Sequence, residues 1–263
     1  MERNSDRQSA DPGDGLKSLV KVMRLLDCFS PIDRTLSLAE ICQRTGLPKS
    51  TTHRLLAAMR EEGLLDQDRD RDRYRLGLKL FELGNIVLSN MDLHREARPF
   101  VDVLARLSGQ GVHLAVFDGR QAVVVHRAEP APEMNSPLNL IESAPAHCTG
   151  VGKAILAFQP EPVLTRLLVG GLARHTDATL IDPAILAEDL ARTRVRGYAL
   201  DEGEHQPGLR CIAAPIRDQS GRVFAAISVS GPAWRLPSGE VESLSKIVVH
   251  NANAISLCLG YRA

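Results

Sequence analysis

The sequence predicts an α+β protein in two parts: a winged helix-turn-helix over residues 16–77 and, beyond connecting helices over 78–109, an antiparallel sheet with flanking helices over 110–263. Three observations predict it. Apolar residues recur at helical spacing in three N-terminal runs punctuated by Gly46 and Gly63, and the period changes to strand alternation after Val112. The length of 263 residues also exceeds what one hydrophobic core usually serves.

In order along the chain, residues 1–15 hold almost no apolar side chain and are expected to form a tail without fixed structure. From Leu16 to Phe29, apolar positions 16, 19, 20, 22, 23, 25, 26 and 29 give a first helix with one broad face to bury. Ser37 with Glu40 three residues later is a capping box that starts a second helix, and Gly46 closes it. Leu47-Pro48 opens a third helix, stopped at Gly63, because proline is well tolerated at a first helical position. Leu64 to Asp66 and Arg73 to Leu76 then read as short strands around a charged loop, which makes a wing.

Residues 77–109 return to helical spacing, with Pro99 expected to split or kink the run. The first half of this connector has apolar residues enough to pair with the same helix of a second subunit, or to pack within its own chain. Beyond Val112 a hairpin turns at Asp118-Gly119, and further strands fit near 136–142, 197–202, 210–217 and 222–230. Helices fit near 150–158, 160–169, 183–195 and 238–259.

The net charge is zero, yet residues 16–80 hold 13 basic against 9 acidic side chains while the flanking segments are slightly acidic. This modest excess suits a DNA-binding domain and equally a solvated surface. Five cysteines without CxxC spacing indicate neither a disulfide framework nor a zinc knuckle and suit a reducing cytoplasm. No apolar run approaches the roughly 20 residues that cross a bilayer, and residues 1–15 lack the apolar core of a signal peptide, so a cytoplasmic protein without membrane contact is expected.

Enzyme motifs are missing too: GxSxG, HExxH and a phosphate-cradling glycine loop do not occur, and no cofactor is expected. Cys148 or Cys211 with His147 or His205 supplies nucleophile and base types, but His147 and Cys148 are adjacent and point apart on an extended chain. The same four residues are metal-ligand types without a recognisable local spacing, which leaves a metal-responsive regulator as the alternative reading.

The third helix carries the DNA chemistry. Lys49, Ser50, Thr51, Thr52, His53 and Arg54 place small hydrogen-bonding and basic side chains near its N-terminus, the end that enters a major groove. Leu55, Leu56 and Met59 form the packing side. Ser50 and Thr51 also suit a capping role, and Arg54 suits an internal salt bridge. In the wing, Arg69, Arg71 and Arg73 alternate with aspartates and are positioned either to track phosphate or to form a solvated hairpin.

The run LeuProLysSerThrThrHisArgLeuLeu, then TyrArgLeuGly after the wing, HisCysThrGlyValGlyLysAla at 147–154, GlyLeuArgCysIleAlaAlaPro at 208–215 and AlaIleSerValSerGlyPro at 226–232 together resemble the successive signatures of the IclR family of regulators. The resemblance extends from about residue 16 to the C-terminus. It implies a winged-helix domain, a connecting helix and a GAF-like effector domain that takes small organic acids or related metabolites. The helix-turn-helix, the basic segment 16–80 and the connector helix lead to the expectation of a homodimer, or a tetramer of two paired dimers, on an approximately palindromic double-stranded operator, acting as repressor or activator.

Positions matching the family's ligand contacts are Gly150, Val151, Asp201, Leu209, Cys211, Ser228 and Ser230. Their chemistry coheres. A helix starting near Gly150 offers free N–H groups to a carboxylate, and Ser228 and Ser230 share one face of a strand unless backbone bonds occupy them. The segment 134–143, with Asn135, Leu138, Asn139, Leu140 and Ile141, is expected to wall the pocket.

Overall fold

The computed structural model describes residues 12–30, 32–68, 72–89, 92–129 and 143–262. It divides into two compact units at Val87/Leu88. Arg69 and Arg71, the strand expected at 136–142 and nearly all of the 134–143 wall lie outside the described residues.

The first unit contains α1 (Pro12–Leu26), β1 (Leu36–Ser37), α2 (Leu38–Thr45), α3 (Lys49–Glu61), β2 (Leu65–Asp68) and β3 (Arg73–Leu76); α4 (Leu78–Ser89) runs across the division. Helix α1 starts at Pro12, earlier than the expected Leu16, because a proline with its fixed φ is compatible with a first turn whose N–H groups have no intrahelical partner. The capping box forms as read: Ser37 N donates to Glu40 Oε2 at 2.7 Å, and Glu40 N donates to Ser37 Oγ at 3.3 Å. Gly46 caps α2 at φ 68°, a left-handed conformation that glycine adopts at low cost. The three strands order as β1-β3-β2, all antiparallel, and close the wing onto the helices. Leu25, Leu36, Ile41, Leu56, Met59, Leu65 and Tyr74 form the core.

The second unit opens with α5 (Asp92–Ser108), followed by β4 (Gly111–Phe117), β5 (Ala122–Ala128), β6 (Ser143–Ala144), α6 (Gly150–Leu156), α7 (Glu161–Val169), α8 (Pro183–Arg196), β7 (Ala199–Glu202), β8 (Leu209–Arg217), β9 (Val223–Pro232) and α9 (Val241–Cys258). Pro99 sits inside α5 and does not split it. The loss of one backbone hydrogen bond is outweighed there by the buried stripe Leu93, Ala97, Val101, Leu104 and Ala105, whose 3–4 spacing continues past the proline.

The strands form one antiparallel sheet, β6-β5-β4-β9-β8-β7. Alternation along the strands divides the side chains between its two faces. Leu114, Ile212, Ala214, Ile216, Ile227 and Val229 pack against α5 and α9. Ala115, Ala213 and Ala226 pack on the opposite face against Val151, Ala154 and Ile155 of α6. The hairpin turns as expected, with Asp118 Oδ1 accepting from the N–H groups of Arg120 and Gln121 at 2.8 Å each. Among the described residues no helix is long and apolar enough to cross a membrane.

Candidate functional site

Two places carry the residues that the sequence singles out, one in each unit. In the first, burying Leu56 and Met59 of α3 contributes about 1.5–3 kcal/mol each and fixes the rotation of the helix. That rotation leaves Lys49, Ser50, His53 and Arg54 exposed and Thr51 half-buried. Among the described residues Arg54 forms no salt bridge, so its intradomain alternative has no partner here.

One expected DNA contact, Thr52, is corrected, and another, Arg73, is engaged within its own domain. Thr52 is fully buried, one turn before Leu56 on the packing side, and its Oγ1 donates to Pro48 O at 3.1 Å. Arg73 is half-exposed: its guanidinium donates to Thr35 O at 2.8 Å and pairs with Glu40 at 3.0 Å, tying β3 to the capping box. Thr52 is thus claimed by a carbonyl one turn back and by packing, and Arg73 by residues more than thirty positions away.

In the second unit, cross-strand register builds the site. Antiparallel pairing sets Arg127, His113, Ser228, Ala213 and Ala199 in one row across β5, β4, β9, β8 and β7. The next row on the same face runs Gly111, Ser230, Cys211, Asp201. Gly111, Ala213 and Ala199 are small, and space remains under α6. The result is a cavity of about 160 Å³ whose lining includes all seven expected effector residues, Gly150, Val151, Asp201, Leu209, Cys211, Ser228 and Ser230. His113, Val124, Arg127, Ala144, Thr149, His205 and Gln206 complete it.

Each polar group in this cavity is set by burial. Ser228 is 1% exposed, and its Oγ, although beside the Cys211 sulfur, satisfies hydrogen-bond geometry with no protein atom among the described residues. Burial pushes the Cys211 thiol up to about 12, opposed only in part by the Ser228 and Ser230 hydroxyls and the Gly150 N–H. Cys211 is therefore a neutral wall rather than a nucleophile. Burial and the neighbouring Arg127 charge bring His113 down to about 4, so it is neutral at physiological pH.

Burial also raises Asp201 above the ordinary carboxylate range, against the Glu204 N–H, the Lys153 charge and the N–H groups of His205 and Gly203. The hydrogen bond from Glu204 N to Asp201 Oδ1 is 2.7 Å. The start of α6 offers fewer free amides than expected, because Thr149 Oγ1 accepts from Gly152 N at 3.2 Å and the Gly150 N–H is turned to Cys211.

Sequence reasoning missed His113 and Arg127, although a polar residue in the apolar run GlyValHisLeuAlaVal is a signal. It also missed Lys153. That side chain is 1% exposed and is held by Glu204 and by Asp189 at 2.9 Å, directly behind the cavity wall.

Comparison with known proteins agrees with this division. A family model described as the IclR helix-turn-helix domain matches residues 18–69, and one described as the bacterial transcriptional regulator IclR C-terminal matches 85–257. The transcriptional repressor IclR of Escherichia coli (strain K12) is 36% identical over 248 residues, covering 93% of this chain and 90% of its own. The crystal structure of the Thermotoga maritima IclR matches with a TM-score of 0.69 at 30% identity, covering 94% of this chain and 100% of that one. An IclR homolog from Microbacterium hydrocarbonoxydans, solved in complex with 4-hydroxybenzoate, matches with a TM-score of 0.77 at 27% identity, covering 92% and 98%. Matched in both units and along nine-tenths of its length, the chain belongs to the IclR family of transcriptional regulators, non-enzymatic proteins with a helix-turn-helix DNA-binding domain and a C-terminal effector-binding domain.

Proposed function

We propose that this regulator binds an approximately palindromic duplex operator as a homodimer in the cytoplasm, and that a small organic acid in the cavity under α6 changes its operator affinity. The observation that carries the acid is the Ser228 hydroxyl, buried on the cavity wall without a hydrogen-bond partner among the described residues. Leaving such a group unsatisfied costs roughly 1–3 kcal/mol, which a ligand oxygen recovers. Ser228 and Ser230 donate to a carboxylate, Arg127, itself paired with Glu129, stands on the same wall, and Asp201 accepts from a ligand hydroxyl. Val124, Val151 and Leu209 take the apolar body. The 4-hydroxybenzoate held by the Microbacterium homolog is a ligand of this chemical class.

Dimer formation is supported by exposed Leu19, Val20 and Met23 on α1 and Leu78, Phe81, Leu83 and Ile86 on α4. Apolar side chains grouped at that density on small elements mark an association surface. The acid acts on DNA binding only through unequal affinity for two conformations of the protein.

Calorimetry with a panel of small carboxylic acids and their amides on the full chain tests the reading. An acid binds, its amide does not, and Ser228→Ala with Ser230→Ala removes the effect on operator affinity while ligand-free DNA binding persists. Wild-type acid affinity in that double variant would overturn the pocket assignment.

A further inference from the structure

Beside the effector cavity, and separate from the residues assigned to the acid, the fold gathers a second set of side chains. His147 and Cys148 precede α6, and His175 lies in the segment between α7 and α8. One donor atom from each of the three lies within 4.8 Å of the others. The sequence offers His147 and Cys148 as ligand types but gives no hint of His175, which stands 27 residues beyond Cys148.

We propose that His147, Cys148 and His175 form a binding site for a borderline-soft divalent cation of the zinc class. Two imidazoles and a thiolate are a donor set that zinc takes in tetrahedral sites, where neighbouring ligand atoms stand about 3.5 Å apart. Closing from 4.8 Å asks for side-chain rotation of roughly an ångström at each ligand, and the ring of His175 is exposed and able to move.

The surroundings hold the other parts in place. His147 Nε2 lies 2.9 Å from Ala173 O, so Nε2 carries the proton and Nδ1 keeps its lone pair. An N–H to carbonyl bond of this kind is how metal-binding histidines are oriented from behind. The backbone under His175 is anchored: His175 N donates to Thr179 Oγ1 at 3.0 Å, and Thr179 Oγ1 donates to Glu204 O at 2.7 Å. Thr176 Oγ1 donates to Gly203 O at 2.7 Å in the same turn.

Burial, and after it the charges of Asp201 and Glu204, push the Cys148 thiol up to about 12, more than the Lys153 charge pulls it back. The cation displaces the thiol proton to solvent as the sulfur–metal bond forms, so its binding weakens as pH falls. Three protein ligands leave a fourth position for water. The His205 ring lies 5.3 Å from that of His175 and also forms part of the wall of the acid-binding cavity.

The test uses the full, untagged chain after chelator dialysis, titrated with Co²⁺ and then Zn²⁺. One equivalent of Co²⁺ binds, with the near-ultraviolet thiolate-to-cobalt band and the visible bands of a tetrahedral site, and Zn²⁺ displaces it. Cys148→Ser loses the thiolate band. His175→Ala, an exposed position, weakens Zn²⁺ binding at least tenfold without changing the melting temperature of the metal-free protein. Absence of the thiolate band, or wild-type Zn²⁺ affinity in His175→Ala, overturns the proposal. Acid binding by metal-free protein is read in parallel, so failure of this site and failure of the acid pocket are distinguishable.

Discussion

Gly150 faces Cys211 so closely that a Cβ on the glycine would stand 2.6 Å from the cysteine sulfur. The effector cavity lies beside this contact, and the sulfur forms part of its wall. Gly150→Ala therefore pushes α6 away from β8 or turns the Cys211 side chain into the cavity. Overpacking of this kind typically costs about 1–3 kcal/mol. The expected outcome is a lower denaturation midpoint and loss of effector binding, with operator binding retained at temperatures where the variant is folded. Gly150→Ala combined with Cys211→Ala restores part of both, and denaturation curves with calorimetry on the two variants check it.

Thr52 and Arg54, two residues apart on α3, are expected to behave oppositely. Thr52→Ala removes a buried hydrogen bond to Pro48 O and costs on the order of 1 kcal/mol of stability. It leaves the affinity of folded protein for DNA unchanged. Arg54→Ala leaves stability unchanged, because the side chain is exposed and has no salt-bridge partner among the described residues. Operator affinity falls. A drop of about one in the salt slope identifies a phosphate contact, and relaxed specificity at one position identifies a base contact. Unchanged affinity and slope would remove Arg54 from the interface.

These two residues also show what was legible in the sequence and what was not. Ser37 with Glu40, Gly46 and Asp118 act through neighbours within four positions, so their roles could be read from spacing alone. Ser228 and Ser230 were legible because strand alternation is local, and the family resemblance located their partners across the sheet. Thr52, Arg73 and Lys153 were not. Their settings depend on a helix rotation, on Thr35 and Glu40 more than thirty residues away, and on Glu204 fifty-one residues on. At Pro99, expected to split or kink the helix, the helix continues unsplit because a tertiary stripe outweighs the lost hydrogen bond. Lys153 did leave one trace: a cation in the apolar run GlyValGlyLysAlaIleLeu implies a buried partner.

Arg73→Ala separates a structural arginine from a DNA-contacting one. The side chain binds Thr35 and Glu40, both partly open to solvent, so its loss costs at most about 1 kcal/mol. Thermal unfolding registers that loss, while the salt slope of operator binding stays at the wild-type value. A slope reduced by one would place Arg73 on a phosphate instead.

The buried trio of Lys153, Glu204 and Asp189 gives the second unit a pH signature of two opposite signs. Burial raises Glu204 from 4.5 to about 7, with the Lys153 charge and hydrogen bond pulling back only part of the shift. Between those values the folded chain holds a proton that the unfolded chain has released, so stability declines as pH rises from about 4.5 to 7 and this contribution is flat above. Asp189 is also pushed up by burial, but Lys153, Arg196 and Arg192 outweigh that and hold its carboxyl below the ordinary range. Its contribution is present above the unfolded value and is lost as pH falls beneath it. Glu204→Gln abolishes the decline between pH 4.5 and 7 while leaving the acid-side loss in place. Chemical denaturation of wild type and variant at half-unit pH steps reads both slopes. A wild-type decline that persists in Glu204→Gln would assign the proton to another group in the trio's surroundings, Asp201 being the nearest buried carboxylate raised in the same direction.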